Sequence, residues 1–318
     1  MKTPKYWQST NIISCLLTPI GWLYGLATTL RMKVKKPFHA NVPVICIGNL
    51  SAGGVGKTPV SMAVAEILLQ KGKKPFFISR GYGGKLSGVV VNPQKHTANE
   101  VGDEPLILSS VAPTVVCHNR VTAAQIAIQN GADVLIMDDG FQNPYLKKDL
   151  SLLVFNGQIG ILNGKIIPAG PLRESFITGL KRAQAAVFIG EDKTGLLKHL
   201  NMTVIKTSIK EKTPKHHDIS VVAFAGIGYP AKFYNSLEKC GLHVANAYDF
   251  PDHHFYKKDE LKMIIKKAKK KGLPIYTTQK DFVKIPPDMQ KNFCVLNIKA
   301  EFNDKALLLK LLKEQHII

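Results

Sequence analysis

The chain has 318 residues, enough for one large or two ordinary domains, and its 45% apolar share excludes a disordered chain. Five widely spaced cysteines with no C-x-x-C pair exclude a cysteine zinc site or a dithiol redox motif, and read as reduced thiols, several of them within apolar runs. A formal charge of +20, from 43 Lys+Arg against 23 Asp+Glu, favours an anionic partner: nucleic acid, an anionic membrane face or a phosphorylated substrate.

The first distinctive segment is the almost uncharged run Ile12 to Leu30, flanked by Lys2 and Lys5 before it and by Arg31, Lys33, Lys35 and Lys36 after it. A secretory signal lacks a small-residue cleavage site here. A spanning helix has the length, about 20 residues, but Pro19, Gly21 and Gly25 interrupt it and both flanks are basic. A helix or helix pair lying in the membrane surface fits better, with Trp22 and Tyr24 at headgroup level and the basic flanks on anionic lipid. A core helix capping the domain is the remaining alternative.

Next comes "GNLSAGGVGKTP", residues 48–59. A strand, Val44–Ile47, leads in, and Val60, Ala63, Val64, Ile67 and Leu68 repeat at helical spacing behind it. A phosphate loop needs backbone N–H groups aimed at one point, a helix start and a lysine. Residues Ser51, Ala52, Gly53, Gly54, Val55, Gly56, Lys57 and Thr58 meet that description: the glycines free the chain, Lys57 reaches the outer phosphates, and the Thr58 hydroxyl suits Mg²⁺. Ser51 stands where G-x-x-x-x-G-K-S/T has its first glycine, and Ala52 removes the extra lysine of one loop subclass. Pro59 is tolerated because the first helical turn has no N–H bond to lose.

Further strands buried on both faces are expected at Pro75–Ile78, Thr114–Cys117, Val134–Met137, Leu152–Phe155 and Ala186–Ile189, alternating with helices. That alternation predicts a P-loop-like parallel sheet flanked by helices. Within it, "VGDEP" offers Asp103 and Glu104. They read either as a helix cap with Pro105 in the first turn, or as a base and a metal ligand. "VLIMDDGFQ" ends a buried strand on Asp138 and Asp139, the form of a metal-holding acid beside a phosphate loop.

Residues 206–218, polar and basic with Pro214, read as a linker, and a second strand–turn–helix start comes at Ile219. Gly226, Gly228 and Ala231, with Asp249 downstream, match a dinucleotide fingerprint on paper, but Pro230 at the helix start explains the turn without a ligand. "FPDHHFY" brings Asp252, His253 and His254, suited to proton transfer if a carboxylate lies near. A lysine-rich helix over 257–271 and a strand at Ile275–Thr278 complete a second, smaller α/β unit. The expected division is therefore an N-terminal membrane-associated segment 1–36, a phosphate-loop domain 37–212 and a smaller domain 213–318 that closes a cleft.

The motifs "GNLSAGGVGKTP", "SRGYGGK", "GDEP", "HNR", "DDGFQN", "PAGPLRES", "GIGYPAKF", "FPDHHFY" and "TTQKDFVKI" occur in the order seen in tetraacyldisaccharide 4'-kinases, and the chain resembles that family up to about Ile285. The resemblance implies phosphorylation by ATP of the 4'-hydroxyl of a tetraacyl disaccharide 1-phosphate in lipid A biosynthesis, at the cytoplasmic face of the bacterial inner membrane. It implies that Lys57 binds ATP phosphates, that Thr58, Glu104 and Asp139 hold Mg²⁺, and that Asp138 supports metal and nucleotide. Asp103 is implied as the base for the sugar hydroxyl, oriented by His253 or the adjacent His254, with His253 preferred because it directly follows Asp252. Arg80, Arg120, Gln142, Arg173 and Glu174 are implied to line the substrate cleft, under a mobile hairpin "RGYGGK". Gln279 departs from the family's usual glutamate, which puts a charge role there in doubt. The partners expected are an anionic glycolipid and the membrane surface, with no nucleic acid and no obligate protein partner. The alternative is a membrane-associated regulatory nucleotide switch.

Overall fold

The computed structural model describes residues 4–318. Lys2 of the expected basic flank lies outside the described residues. In chain order the strands are β1 (Val44–Gly48), β2 (Pro75–Ser79), β3 (Val89–Val90), β4 (Thr114–Val116), β5 (Val134–Asp138), β6 (Leu150–Asn156), β7 (Ala185–Ile189) and β8 (Thr203–Glu211), then β9 (Ile219–Ala225), β10 (Leu242–Asp249), β11 (Ile275–Thr278), β12 (Cys294–Leu296) and β13 (Ile298–Phe302).

Two sheets form. The larger runs β13-β8-β7-β6-β1-β5-β2-β4-β3, parallel from β8 to β4, with antiparallel edges at β13 and β3. The smaller is wholly parallel, β10-β9-β11-β12. The six strands expected to be buried on both faces each appear within two residues of their sequence-derived limits, because a strand covered by helices on both sides must be apolar throughout. Every residue of β1, β2, β5, β6 and β7 is buried. At about 1.5–3 kcal/mol for each fully buried large aliphatic side chain, these strands are the least movable part of the molecule. β1 sits between β5 and β6, so the loop leaving its C-terminal end stands over the middle of the sheet.

The segment read as a linker differs. Residues 203–211 form β8, with Ile205 and Thr207 buried, and only residues 212–218 connect the two sheets. Its lysines hide the strand because β8 lies near the sheet edge, where one face meets water. The C-terminal boundary differs too. β13 pairs with β8, and the helix Lys305–Glu314 packs Leu308, Leu311 and Leu312 into the core of the larger sheet. The chain therefore returns from the smaller sheet after Leu296. Of the cysteines, Cys46 and Cys117 are buried, Cys240 and Cys294 half-buried and Cys15 exposed; all are free thiols.

The N-terminal run forms two helices, Ile12–Leu16 and Thr18–Val34. No helix among the described residues is long and apolar enough to cross a membrane. Pro19 occupies the first turn of the longer helix, where it costs no hydrogen bond. Gly21 and Gly25 do not break it; they are its buried face. A Cβ on Gly21 would lie 2.8 Å from the carbonyl oxygen of Ile166, and one on Gly25 would lie 2.7 Å from Ile166 Cδ1. Trp7 and Lys165 fasten the docking, through Trp7 Nε1 to the Pro168 carbonyl (2.9 Å) and Lys165 Nζ to Thr18 Oγ1 (2.9 Å). With small residues facing the protein, the large apolar ones face out: Ile12, Leu16, Trp22 and Leu23 are 80, 73, 68 and 68% exposed.

The end of β1 has no space for a side chain, since a Cβ on Gly48 would sit 2.4 Å from Phe141 Cβ. Gly48→Ala is expected to destabilise the fold by about 1–3 kcal/mol in denaturant unfolding. Gly54→Ala, with nothing within 4 Å of its added Cβ, should stay within about 0.5 kcal/mol of the parent. Equal stability of the two variants would show that Phe141 yields freely.

Candidate active site

The loop after β1 leads into the helix Lys57–Gln70, with Gly53 and Gly56 at φ 128° and 98°, conformations that L side chains rarely adopt. Ser51 needs no such freedom. It bridges antiparallel to Leu172, the Ala52 N–H donates to the Pro171 carbonyl (2.7 Å) and the Arg173 N–H donates to the Leu50 carbonyl (2.7 Å). The "PAGPLR" segment thus holds the loop entry extended, so a glycine is not required at its first position.

Lys57 points back across the loop, 3.3 Å from Asn49 Oδ1 and 3.5 Å from Asp139 Oδ1. The Thr58 hydroxyl donates to Asp138 Oδ2 (3.2 Å) and the Ser61 hydroxyl to Asp138 Oδ1 (2.8 Å). Asp138 is 4% exposed; burial and the nearby Glu104 charge push its carboxyl up to about 7, against the pull of the Ser61 hydrogen bond and Lys57. Asp139 has the opposite fate. Burial would raise it, yet Lys57 and a two-pronged Arg173 (2.9 and 3.3 Å) bring it below the usual carboxylate range.

Thr58 meets Asp138 rather than Asp139, and Asp139 is engaged by two cations. Among the described residues no group of three or more His, Cys, Asp or Glu could hold a metal. Mg²⁺ needs no such group, since it binds through one or two protein oxygens and completes its octahedron with phosphate and water. A buried carboxylate whose hydrogen-bond partners are two hydroxyls, at a helix start, is such an oxygen donor. Glu104, expected as a metal ligand, is instead hydrogen-bonded by Lys280 from the smaller sheet.

Asp103 and His253, 150 residues apart, come together. His253 Nδ1 lies 3.0 Å from Asp103 Oδ2, while Asp103 Oδ1 accepts the Glu104 N–H at 2.8 Å. Gly102, not Asp103, caps the helix Asp103–Leu108, leaving the carboxylate free to face the histidine. Asp103 is 6% exposed. Burial alone would raise its pKa, but the His253 hydrogen bond, Lys280 and Lys284 lower it. His253 is raised, chiefly by the Asp103 hydrogen bond. Its ring also meets Tyr82 of the glycine-rich segment edge-on, 5.8 Å between centroids, and that segment is a loop with no paired strands rather than the expected hairpin. His254 turns away, bonding Glu260 (2.9 Å) and stacking on Phe250.

The residues expected to line the cleft divide. Arg173 and Gln142 are half-buried and linked to each other (3.4 Å), Arg80 is exposed, and Arg120 is 6% exposed with its Nε unpaired among the described residues. Glu174 is only 3% exposed; it is held by Arg182 and accepts from Gln142 Nε2 (2.9 Å), so it supports the cleft rather than lining it. Ser61, Asn49, Arg182 and Lys280 escape a reading of the sequence. Ser61 is recoverable, lying one helical turn beyond Thr58; Arg182 carries no local signal.

The dyad's stability depends on these directions. Folding favours ionised Asp103, a contribution present above its ordinary value of 3.8 and lost as pH falls through the lowered native value. Folding favours protonated His253, a contribution complete below its ordinary 6.5 and lost as pH rises through the raised native value. The pair therefore contributes in full between those two values. By proton NMR, the His253 ring is expected to titrate above 6.5 and to move down in Asp103→Asn; a midpoint indifferent to the substitution would mean that another group holds the proton.

The family model described as Tetraacyldisaccharide-1-P 4'-kinase matches residues 13–316. The chain is 42% identical to the tetraacyldisaccharide 4'-kinase of Rhodospirillum centenum, over 98% of this chain and 96% of that one. It is 41% identical to the enzyme of the same name from Parvibaculum lavamentivorans, over 90% and 87%. Its fold is similar to a crystal structure of LpxK from Aquifex aeolicus in complex with ATP, with a TM-score of 0.77 at 27% identity, covering 96% of this chain and 99% of that one.

Proposed function

The chain belongs to the tetraacyldisaccharide-1-P 4'-kinase family, and from that premise we propose how its own residues carry out the reaction. The enzyme is a phosphotransferase of lipid A biosynthesis that moves the γ-phosphoryl group of ATP to the 4'-hydroxyl of a tetraacyl disaccharide 1-phosphate. The observation that carries the assignment of roles is the 3.0 Å contact between His253 Nδ1 and Asp103 Oδ2, which joins the two sheets beside the phosphate loop.

ATP phosphates lie on the N–H groups of residues 53–58, at the positive end of the helix behind them. Lys57 exchanges its contacts with Asn49 and Asp139 for the outer phosphates. Thr58 and Asp138 would hold Mg²⁺, which would supply charge neutralisation on the ATP phosphates. Asp103, kept ionised by its basic neighbours, accepts the 4'-hydroxyl proton as the oxygen–phosphorus bond forms and the bond to the ADP oxygen breaks. His253 fixes the carboxylate's direction and stabilises its charge. Arg173, Gln142 and the buried Arg120 face the anionic sugar, with Arg80 at the rim. Glu174 and Arg182 hold Gln142 from behind.

The substrate's acyl chains stay in a bilayer, so the enzyme must meet a surface. The outward apolar face of the two N-terminal helices, followed by Arg31, Lys33, Lys35 and Lys36, is suited to the interface of an anionic membrane. A peripheral or monotopic position at the cytoplasmic side of the inner membrane is the consequence, because ATP is supplied there.

The direct test is radiolabel transfer from ATP to a tetraacyl disaccharide monophosphate, which should be abolished in Lys57→Ala. Asp103→Ala is expected to lower kcat by about 10²–10⁴ while ATP affinity holds within about twofold; unchanged turnover would remove Asp103 as the base. Replacing Trp22, Leu23 and Leu26 by glutamate should release the protein from vesicles containing anionic lipid in co-sedimentation. Undiminished binding would exclude this face as the anchor.

A further inference from the structure

The C-terminal ends of the smaller sheet converge on one buried carboxylate, Asp281, which has 0% exposure. Asp281 comes after β11 in the short helix Gln279–Phe282. Its Oδ2 accepts the Gly226 N–H (3.0 Å), from the turn after β9, and the Thr278 hydroxyl (2.6 Å). Its Oδ1 accepts the Tyr256 hydroxyl (2.8 Å), from the segment after β10, and Lys284 Nζ lies 2.9 Å away. Three strand ends are thus tied to one side chain at the point where the strand order reverses, β9 lying between β10 and β11.

His253 belongs to this assembly. Its N–H donates to the Gly226 carbonyl (3.2 Å), so Asp281 and His253 grip opposite ends of the same glycine. A Cβ on Gly226 would stand 2.9 Å from the Tyr256 hydroxyl, 3.0 Å from Asp281 Oδ1 and 3.1 Å from the Pro251 carbonyl, so the turn is closed tightly against the histidine segment. His253 needs the hold: its φ is 58°, a conformation uncommon outside glycine. The residue before Asp281, Lys280, reaches across to Glu104, next to Asp103. One turn of helix therefore fixes the histidine from behind and the helix start of its carboxylate partner from in front.

We propose that Asp281 is a positioning residue for phosphoryl transfer: through the Gly226 turn and Tyr256 it holds the His253 ring on Asp103. The inference rests on the Asp103–His253 dyad as the base and extends that role to a residue that touches neither substrate nor nucleotide. It also accounts for the dinucleotide-like glycine turn, whose first N–H is satisfied by a carboxylate of the chain itself.

The test is phosphoryl-transfer kinetics on full-length protein carrying Asp281→Asn together with Lys284→Met, which removes the cation that would otherwise be stranded in the core. A thermal melt confirms folding. The expected result is a kcat lower by about 10- to 100-fold with KM for ATP within about twofold, because misplacing a catalytic group affects turnover more than nucleotide binding. Lys284→Met alone is the reference, because Lys284 also acts on Asp103 directly; against that reference Asp281→Asn should change kcat by less than about twofold in a His253→Ala background, since the group it positions is gone. Full kcat in the folded double variant, or an equal loss with and without His253, would overturn the proposal. Tyr256→Phe serves if the double variant does not fold. It deletes one bond to Asp281 and should lower kcat by about 3- to 10-fold, again only when His253 is present. A His253→Ala enzyme as fast as the parent would sink the dyad reading itself. A slow His253→Ala enzyme beside a fast Asp281 variant would sink only the present inference.

Discussion

The contact on which the rest of the molecule turns is between a carboxylate carried by one sheet and an imidazole carried by the other. Neither group is useful alone. Asp103 in a buried site without cationic neighbours would be pushed toward protonation, and a protonated carboxyl cannot take the proton of a sugar hydroxyl. His253, Lys280 and Lys284 reverse that tendency, and all three come from the smaller unit. On the proposed roles, the two sheets have to meet for Asp103 to serve as the base. That requirement explains why so much hydrogen bonding is concentrated at the seam, in the Lys280–Glu104 pair and the Asp281 assembly, where surface ion pairs alone would contribute little.

Charge within the larger sheet is arranged by a similar opposition. Two adjacent acids at the end of β5 cannot point the same way along the strand, and they are given different company. Asp138 turns inward to hydroxyls and rises; Asp139, at φ 51°, turns toward Arg173 and Lys57 and falls. The lysine and arginine that hold Asp139 are also the cations best placed for phosphate and substrate anion. Binding can proceed by exchange of partners, so that a cation leaving one anion finds another and no charge is left unpaired in a dry cleft.

How much of the structure is legible in the sequence depends on how local each signal is. The central strands announce themselves because burial on both faces demands unbroken apolar runs. The phosphate loop does so because its glycines, Lys57 and Thr58 are consecutive. β8 reads as linker, and β10, with its alternating "LHVANAYD", escapes notice, since a half-exposed strand carries polar residues at every second place. The return of β13 to the larger sheet has no local mark. At the site, Asp103 and Glu104 are visible as a pair in the local pattern, and only the family resemblance singles out Asp103 as the one that faces a histidine 150 residues away. The separate company that Asp138 and Asp139 keep is beyond reach, for it depends on which strand face Thr58 and Ser61 meet. Gln279, suspicious as a departure from the family pattern, bears on none of the contacts at the seam; the next residue, Lys280, makes the pair with Glu104.

The N-terminal helices gain their meaning from the segment beneath them. Residues 165–168 receive the helix, through Ile166 under Gly21 and Gly25, Lys165 on Thr18 and the Pro168 carbonyl on Trp7. A few residues on, Pro171, Leu172 and Arg173 hold the entry of the phosphate loop, and Arg173 reaches Asp139. Seven residue steps lead from Ile166 to Arg173, at most about 25 Å even if fully extended. One short, internally bonded stretch thus carries the apolar face at one end and the phosphate loop at the other. A sugar anchored by acyl chains in a bilayer has limited reach above the surface. Under the proposed membrane docking, so short a strut holds the loop at a fixed level above the lipid, which a flexible tether of the same length could not do.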